Sequence, residues 1–455
     1  AGSPAYAQDH ATSLHTVFEQ VSRATKLACS TVMGSGSSIH DDNNNNTNSN
    51  CVGNGNGNGI NNNYVSNGTI DADSSPTWAG GEEEVDSPAR ADAKSCTMHA
   101  STSVGTFELL ECGEGGDQPG ATPRARSLPP PLTLLDFRAL QDAHGRVEDV
   151  AAACARAFHG GLENSARAEV WPFLLGYLPW GSTAAERARI RERKREEYLQ
   201  YKSQWQTVSE AQARRFAKFR ERRNRIRKDV VRTDRLLPFY ASSARQPGAD
   251  EACGEAHNAN VDAMRDVLLT YSFYNFDLGY CQGMSDLLSP LLFIMQNESD
   301  AFWCFVGLMD VMESNFHRDQ NGMHSQLLSL SKLVQLLDPQ LYNHLERIDC
   351  LNFFFCYRWI LIIFKRELEY GSVMRLWEAL WSRHLCAHFH LFVCVAVLQR
   401  HRLTIMNQIQ EFDDLLRFVN DLSGKIDLDA ALHDAEVLYR YAGQAGQDVL
   451  PLVGP

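Results

Sequence analysis

The sequence contains no Cys-x-x-Cys pair. Its 12 cysteines are scattered singly. That pattern excludes a zinc-ribbon spacing and a disulfide framework, and it fits a reduced, cytosolic setting. No stretch of consecutive apolar residues approaches the roughly 18 needed to cross a bilayer. The longest, Leu351 to Phe364, is interrupted by Asn352 and Arg358 and reads as a core helix. The N-terminus lacks the basic-then-apolar pattern of a secretory signal, and it opens on Ala1, as a trimmed fragment would. No βαβ alternation and no convincing set of strands is present. No Ser sits in a nucleophile elbow, which leaves Ser-His-Asp hydrolysis without support. His317, His324, His384, His388, His390 and His401 do not share a metal-ligand spacing with acids. His384, His388 and His390 read as helix-face or loop residues.

What is present is a long chain with two characters. Its 455 residues suggest about two or three domains, and 44% hydrophobic residues mark it as globular. Residues 1–130 do not share that character. His15 to Ala28 can form one short helix. Asp41 to Asn63 is dominated by Asn and Gly. Such a segment buries too little apolar surface to offset chain entropy and reads as mostly disordered. Pro129-Pro130-Pro131 continues the linker character. Net charge is -13, unevenly spread. Residues 186–235 hold 18 Lys and Arg against 8 Asp and Glu, a local +10; the remainder, 25 against 48, carries -23. A basic block in an acidic chain can meet nucleic acid, phosphate or an acidic protein. The plain alternative is a solvated helix face. Nucleic acid is the weaker reading, because the block lacks interleaved stacking aromatics and any known binding motif.

Order is expected from Leu132 onward, as a run of helices. Thr133 can cap a short helix through Leu140. Val150 to Phe158 forms the next. Residues 166–175 are aromatic and apolar and stop at Gly176. Ala184 to Trp205 reads as one long helix with a thin apolar stripe, and Ser209 to about Lys228 as a second, basic one. Pro247 to Ala256 reads as a surface loop. From Val261 nearly everything has helical period. Arg358 inside its apolar run must be paired, since an unpaired buried guanidinium is very costly; Glu367 and Glu378 are the candidate partners. The fold class is therefore all-α, in one large domain over residues 131–445, followed by a tail over 446–455.

Two short stretches carry the chemistry. Gly279-Tyr280-Cys281-Gln282-Gly283 is a Gly-bracketed turn that feeds a helix whose buried face holds Met284, Leu287, Leu288, Leu291, Leu292 and Met295. A Gln between two glycines can be held rigidly with its amide pointing outward; the plain alternative is a polar residue capping a helix. About fifty residues upstream, Ile226, Asp229 and Arg232 recur at intervals of three, on one helical face. Ile226 anchors the turn in the core, Asp229 orients Arg232, and Arg232 projects a planar, permanent charge. By spacing alone, an ordinary i,i+3 ion pair explains them equally well.

Ile226-x-x-Asp229-x-x-Arg232 followed by Tyr280-x-Gln282 resembles the paired signature of the TBC domain, a family that acts on Rab GTPases. Arg167 to Gly176 is similar to the family's opening segment. Arg232-Thr233-Asp234-Arg235 extends the arginine motif, and Asn275 to Leu287 matches the glutamine region. Phe355 to Leu368 and Leu376-Trp377-Glu378 resemble later helices. The match runs from about Leu132 to Tyr441. It implies an all-helical GTPase activator of vesicle trafficking, acting in trans on a GTP-bound Rab, with no turnover of its own. Arg232 and Gln282 would be the two catalytic groups, and Asp229, Ile226, Tyr280, Gly279 and Gly283 their support. Tyr280 is expected to pack beneath the loop. Arg235 has two options, the partner or Asp234. GTP and Mg²⁺ would be carried by the partner, with no metal or cofactor of the chain's own. The chain would be cytoplasmic, meeting endomembranes peripherally through that partner. A catalytically silent TBC-fold scaffold is the alternative reading.

Overall fold

A computed structural model describes residues 129–241 and 258–451, with the backbone of 101–102 and 105–106. The helix expected at His15 to Ala28, the disorder expected over 1–130 and the loop around 247–257 otherwise lie outside the described residues. The chain divides into two units, residues 35–125 and the rest. In the first, Ser101–Thr102 pairs antiparallel with Gly105–Thr106, a ribbon that the sequence did not announce. The second is built of helices; its only β features among the described residues are isolated bridges, Leu132 with Leu162 and Gln141 with Val147.

Its first helices are α1 Leu134–Ala139, α2 Val150–Gly160, α3 Asn164–Leu174, α4 Ala184–Gln206, α5 Glu210–Arg215 and α6 Ala217–Val230. The middle of the unit holds α7 Ala259–Tyr274, α8 Met284–Met295, α9 Glu298–Met312, α10 Asn321–Leu337 and α11 Pro339–Arg347. It closes with α12 Tyr357–Leu361, α13 Tyr370–Trp381, α14 Phe389–Arg400, α15 Arg402–Gln408, α16 Phe412–Asp421 and α17 Leu428–Asp448. Among the described residues, none is long and apolar enough to cross a membrane.

Local chemistry sets many of the boundaries. Thr133 Oγ1 accepts from Asp136 N at 3.1 Å while the Asp136 carboxylate reaches back to Thr133 N, a reciprocal cap that starts α1. Thr183 and Glu186 do the same for α4. The thin stripe of α4 is enough because its few aromatics are well placed. Tyr198 is buried, and Trp205 Nε1 donates to Thr270 on α7 at 3.0 Å. The central element is α8. Of the face expected to be buried, Met284, Leu287, Leu288, Leu291 and Leu292 are buried and Met295 is half-buried; Ser285, Asp286, Ser289 and Pro290 are buried as well. It packs against α6, α7 and α9, so both of its ends can carry fixed geometry to the surface.

Two expected helices are broken. The basic helix from Ser209 is interrupted at Phe216, whose φ of -96° and ψ of 84° separate α5 from α6. At the break the Phe216 ring stacks on Phe219 and on Phe276 of the following segment. The run Leu351 to Phe364 is not a core helix either. It is a 3-10 turn, Phe354–Cys356, then the short α12, with Phe353, Ile363 and Phe364 in left-handed backbone. The reason is electrostatic as much as steric. Arg358 Nε donates to Glu367 Oε1 at 2.5 Å. In a straight helix nine residues span about 13 Å, so the chain must turn back to make this pair. Glu378, the other candidate, is taken elsewhere. It accepts from Arg167 Nε at 2.6 Å, Trp171 Nε1 at 3.1 Å and Leu162 N at 2.9 Å. Both glutamates are fully buried. Burial pushes the pKa of each up despite its arginine.

One histidine gives the helical unit a readable acid response. His390 on α14 lies with Nε2 2.7 Å from Gln326 Oε1, and burial of its ring pushes its pKa from 6.5 to about 3. The folded protein then binds fewer protons than the unfolded chain between those values. The stabilisation is therefore complete above about pH 6.5 and is lost as pH falls, by about 2 kcal/mol at pH 5. Denaturant titrations at pH 7 and pH 5 should show this share of the loss in the wild type and not in His390→Phe. An identical pH slope in the two proteins would contradict it.

Candidate functional site: a tethered arginine and a sheltered amide

Arg232 lies just past the C-terminus of α6, where Ile226 is fully buried and holds the turn down. Its side chain keeps 36% exposure while that of Asp229 keeps 9%. Arg232 Nε and Nη2 both donate to Asp229 Oδ1, at 3.1 and 2.7 Å. The other carboxylate oxygen, Oδ2, accepts the Tyr280 hydroxyl at 2.6 Å. Tyr280 is 4% exposed, so it packs beneath its loop. Burial, then the Asp229 charge, raises its pKa well above the ordinary value, which keeps it a donor. One carboxylate thus joins the arginine segment to the glutamine loop. The Thr233 hydroxyl adds a second tie, 2.9 Å from that of Ser285, while donating to Asp229 O at 2.8 Å.

The glutamine loop is clamped on both sides. Gly279 has φ +69° and Gly283 has φ +102°, backbone that favours glycine. A Cβ on Gly279 would lie 2.4 Å from Arg222 Cζ. Arg222 is a site residue that the sequence reading missed, since it sits in the basic block and looked like solvated surface. Its Nη1 and Nη2 donate to Ser272 O at 2.8 Å and Phe276 O at 2.6 Å, which caps the end of α7 just before the loop. On the far side Arg366 holds Asp286 at 3.0 Å, and Lys365 holds Asp234 at 2.9 Å. The Asp234 carboxylate thus carries Lys365, and Arg235 is half-buried.

Gln282 departs from expectation. It is half-buried, and its Nε2 is shut off from solvent with no hydrogen-bond partner among the described residues. The sequence expected an outward amide. Instead Gln282 lines a groove of about 420 Å³, with Asn315, Arg318, Tyr357, Ile362 and Phe412 among its neighbours. A buried amide donor left unmade costs about 1–3 kcal/mol. Among the described residues no cluster of His, Cys, Asp or Glu could hold a metal ion.

The glycine clamp is testable. Gly279→Ala should cost about 2–3 kcal/mol, from backbone strain plus displacement of Arg222. Gly176→Ala is the control: its φ is +73° but nothing lies near its added methyl, so about 1 kcal/mol is expected. Equal thermal midpoints for the two variants would show that Arg222 moves aside freely.

These features define a helical domain that offers a tethered guanidinium and a sheltered carboxamide from two loops on one shared carboxylate. The profile of the Rab-GTPase-TBC domain matches residues 164–406. The chain belongs to that family. It is 42% identical over 319 residues to a protein of Yarrowia lipolytica named GTPase-activating protein GYP7, covering 68% of this chain and 43% of that one. It is 40% identical over 334 residues to TBC1 domain family member 17 of Mus musculus, covering 73% and 49%. The chain thus spans about half the length of the curated relatives it matches. The crystal structure of the Ypt/Rab-GAP domain of Gyp1p shares the fold, with a TM-score of 0.56 at 21% identity, over 68% of this chain and 99% of that one.

Proposed function

We propose that this chain is a GTPase-activating protein for a Rab-family GTPase in its GTP-bound state, acting in trans through Arg232 and Gln282. As the bond to GDP loosens, charge grows on the γ-phosphoryl and bridging oxygens. The Arg232 guanidinium stabilises that charge and excludes water. Gln282 holds the attacking water in line, once its amide, sheltered in the free chain, turns out toward the partner's nucleotide. The chain supplies these groups and turns over no substrate alone. GTP and Mg²⁺ arrive with the partner, and the chain meets the membrane peripherally, from the cytoplasm, through that partner. Part of the basic face on α4 to α6 steers an acidic GTPase surface.

The observation that carries this reading is the Asp229 carboxylate, held by Arg232 on one oxygen and by Tyr280 on the other. A silent scaffold would need neither a tethered fork nor a donor kept without a partner. Single-turnover GTP hydrolysis across a panel of Rab proteins tests the proposal. Acceleration of at least one is expected. Tight binding to a GTP-loaded Rab with no acceleration of any would favour the scaffold.

A further inference from the structure

A hydrogen-bond chain runs from α14 to the wall of the groove that holds Gln282. It begins at His390, whose Nε2 faces Gln326 Oε1 on α10 at 2.7 Å. Gln326 Nε2 donates to Asn315 Oδ1 at 2.5 Å. Asn315 belongs to the 3-10 turn Glu313–Phe316 after α9 and lines the groove. Asn315 is 4% exposed and Gln326 7%.

The polarity of this chain is fixed by its surroundings. Gln326 Nε2 also faces Gly322 O at 3.4 Å, and a backbone carbonyl can only accept. The NH₂ end of Gln326 must therefore point toward Gly322 and Asn315, and its oxygen toward His390. His390 then donates, as the neutral tautomer protonated on Nε2, consistent with the depressed pKa that burial gives it. Asn315 spends its oxygen on Gln326. Because a carboxamide is planar with opposed ends, its Nδ2 is turned the other way. No hydrogen bond among the described residues takes that nitrogen. The groove's other charged lining is mostly cationic: Arg225 and Arg318 line it with Arg358, held by Glu367, and with Arg366, held by Asp286.

The geometry points to Asn315 as a partner-contacting residue whose amide, oriented by Gln326 and His390, donates to an acceptor oxygen of the GTPase polypeptide beside the nucleotide. This rests on the Rab-binding part of the proposed function and adds a specificity contact to it. Asn315 acts on docking, whereas Arg232 and Gln282 act on the chemistry. Gln326 and His390 are positioning residues that touch nothing in the partner.

Two variants at one position separate this from a structural role. Asn315→Asp keeps the size and still accepts from Gln326, but turns an acceptor toward the groove. Asn315→Ser keeps a small polar group and forfeits the fixed donor. Equilibrium binding to Rab loaded with a non-hydrolysable GTP analogue is measured first, then the hydrolysis rate as a function of chain concentration. Both variants should weaken binding and raise the half-saturating concentration about tenfold, with the maximal rate within about threefold of wild type; each also loses stability, so both are compared well below their own thermal midpoints. Gln326→Leu, which frees the amide to turn over, should weaken binding by about threefold. Wild-type binding in both Asn315 variants overturns the inference. So does a lowered maximal rate at unchanged half-saturation, which would place Asn315 in the chemistry. Binding that responds to Asn315 while no Rab is accelerated would instead count against the activity and leave this contact standing.

Discussion

Arg232→Ala should abolish most of the acceleration while leaving the domain folded. Trans-acting arginines of this kind contribute about 10³ to 10⁵ to GTP hydrolysis, so a loss of about a thousandfold is expected in single-turnover rates. Arg232→Lys should recover little of it. Lysine keeps the charge but lacks the planar fork that spans two acceptors. The fold should tolerate both changes, because the side chain is 36% exposed and Asp229 keeps its bond from Tyr280. Loss of the ion pair is worth about 1 kcal/mol at such a site. Asp229→Asn tests the tether itself: Arg232 stays present but less well held, which should give an intermediate rate. Undiminished hydrolysis with Arg232→Ala would remove the arginine from the mechanism.

Gln282 should show the opposite coupling between activity and stability. Gln282→Met keeps most of the volume and discards the amide. Removing a positioned donor of this kind lowers rates by about 10² to 10³. Removing a buried donor that lacks a partner relieves a penalty of about 1–3 kcal/mol, so the thermal midpoint should hold or rise. Rate and melting temperature measured on the same preparation decide the matter. A marked fall in stability would mean that the amide is satisfied in the free protein and is structural. The proposed mechanism places both groups in one transition state, so the Arg232→Ala, Gln282→Met double variant should be little worse than either single one.

The local part of this architecture was legible. Thr133 announced the start of a short helix, and the spacing in Met284 to Leu292 announced a buried helix face. Ile226, Asp229 and Arg232 fell on one side of a turn. Each of these depends on neighbours within about one helical turn, where the period of the chain sets who meets whom. The failures came where distant groups compete. Phe216 leaves helical geometry to stack on Phe276, 60 positions on. Leu351 to Phe364 had the composition of a core helix, yet Arg358 had two acidic suitors and the chain folded back toward the nearer.

The sequence by itself determined a helical domain, its family, and the guanidinium and carboxamide proposed for catalysis. Only the tertiary structure decided that Asp229 serves both loops at once, that Arg222 braces Gly279, that Glu378 belongs to Arg167, and that Gln282 is sheltered in a groove beside Asn315. The physical reason is range. Helical period and capping act over three or four residues, whereas ion pairs and buried amides choose partners across the packed core, where the chain path sets which of several matching groups comes within 3 Å.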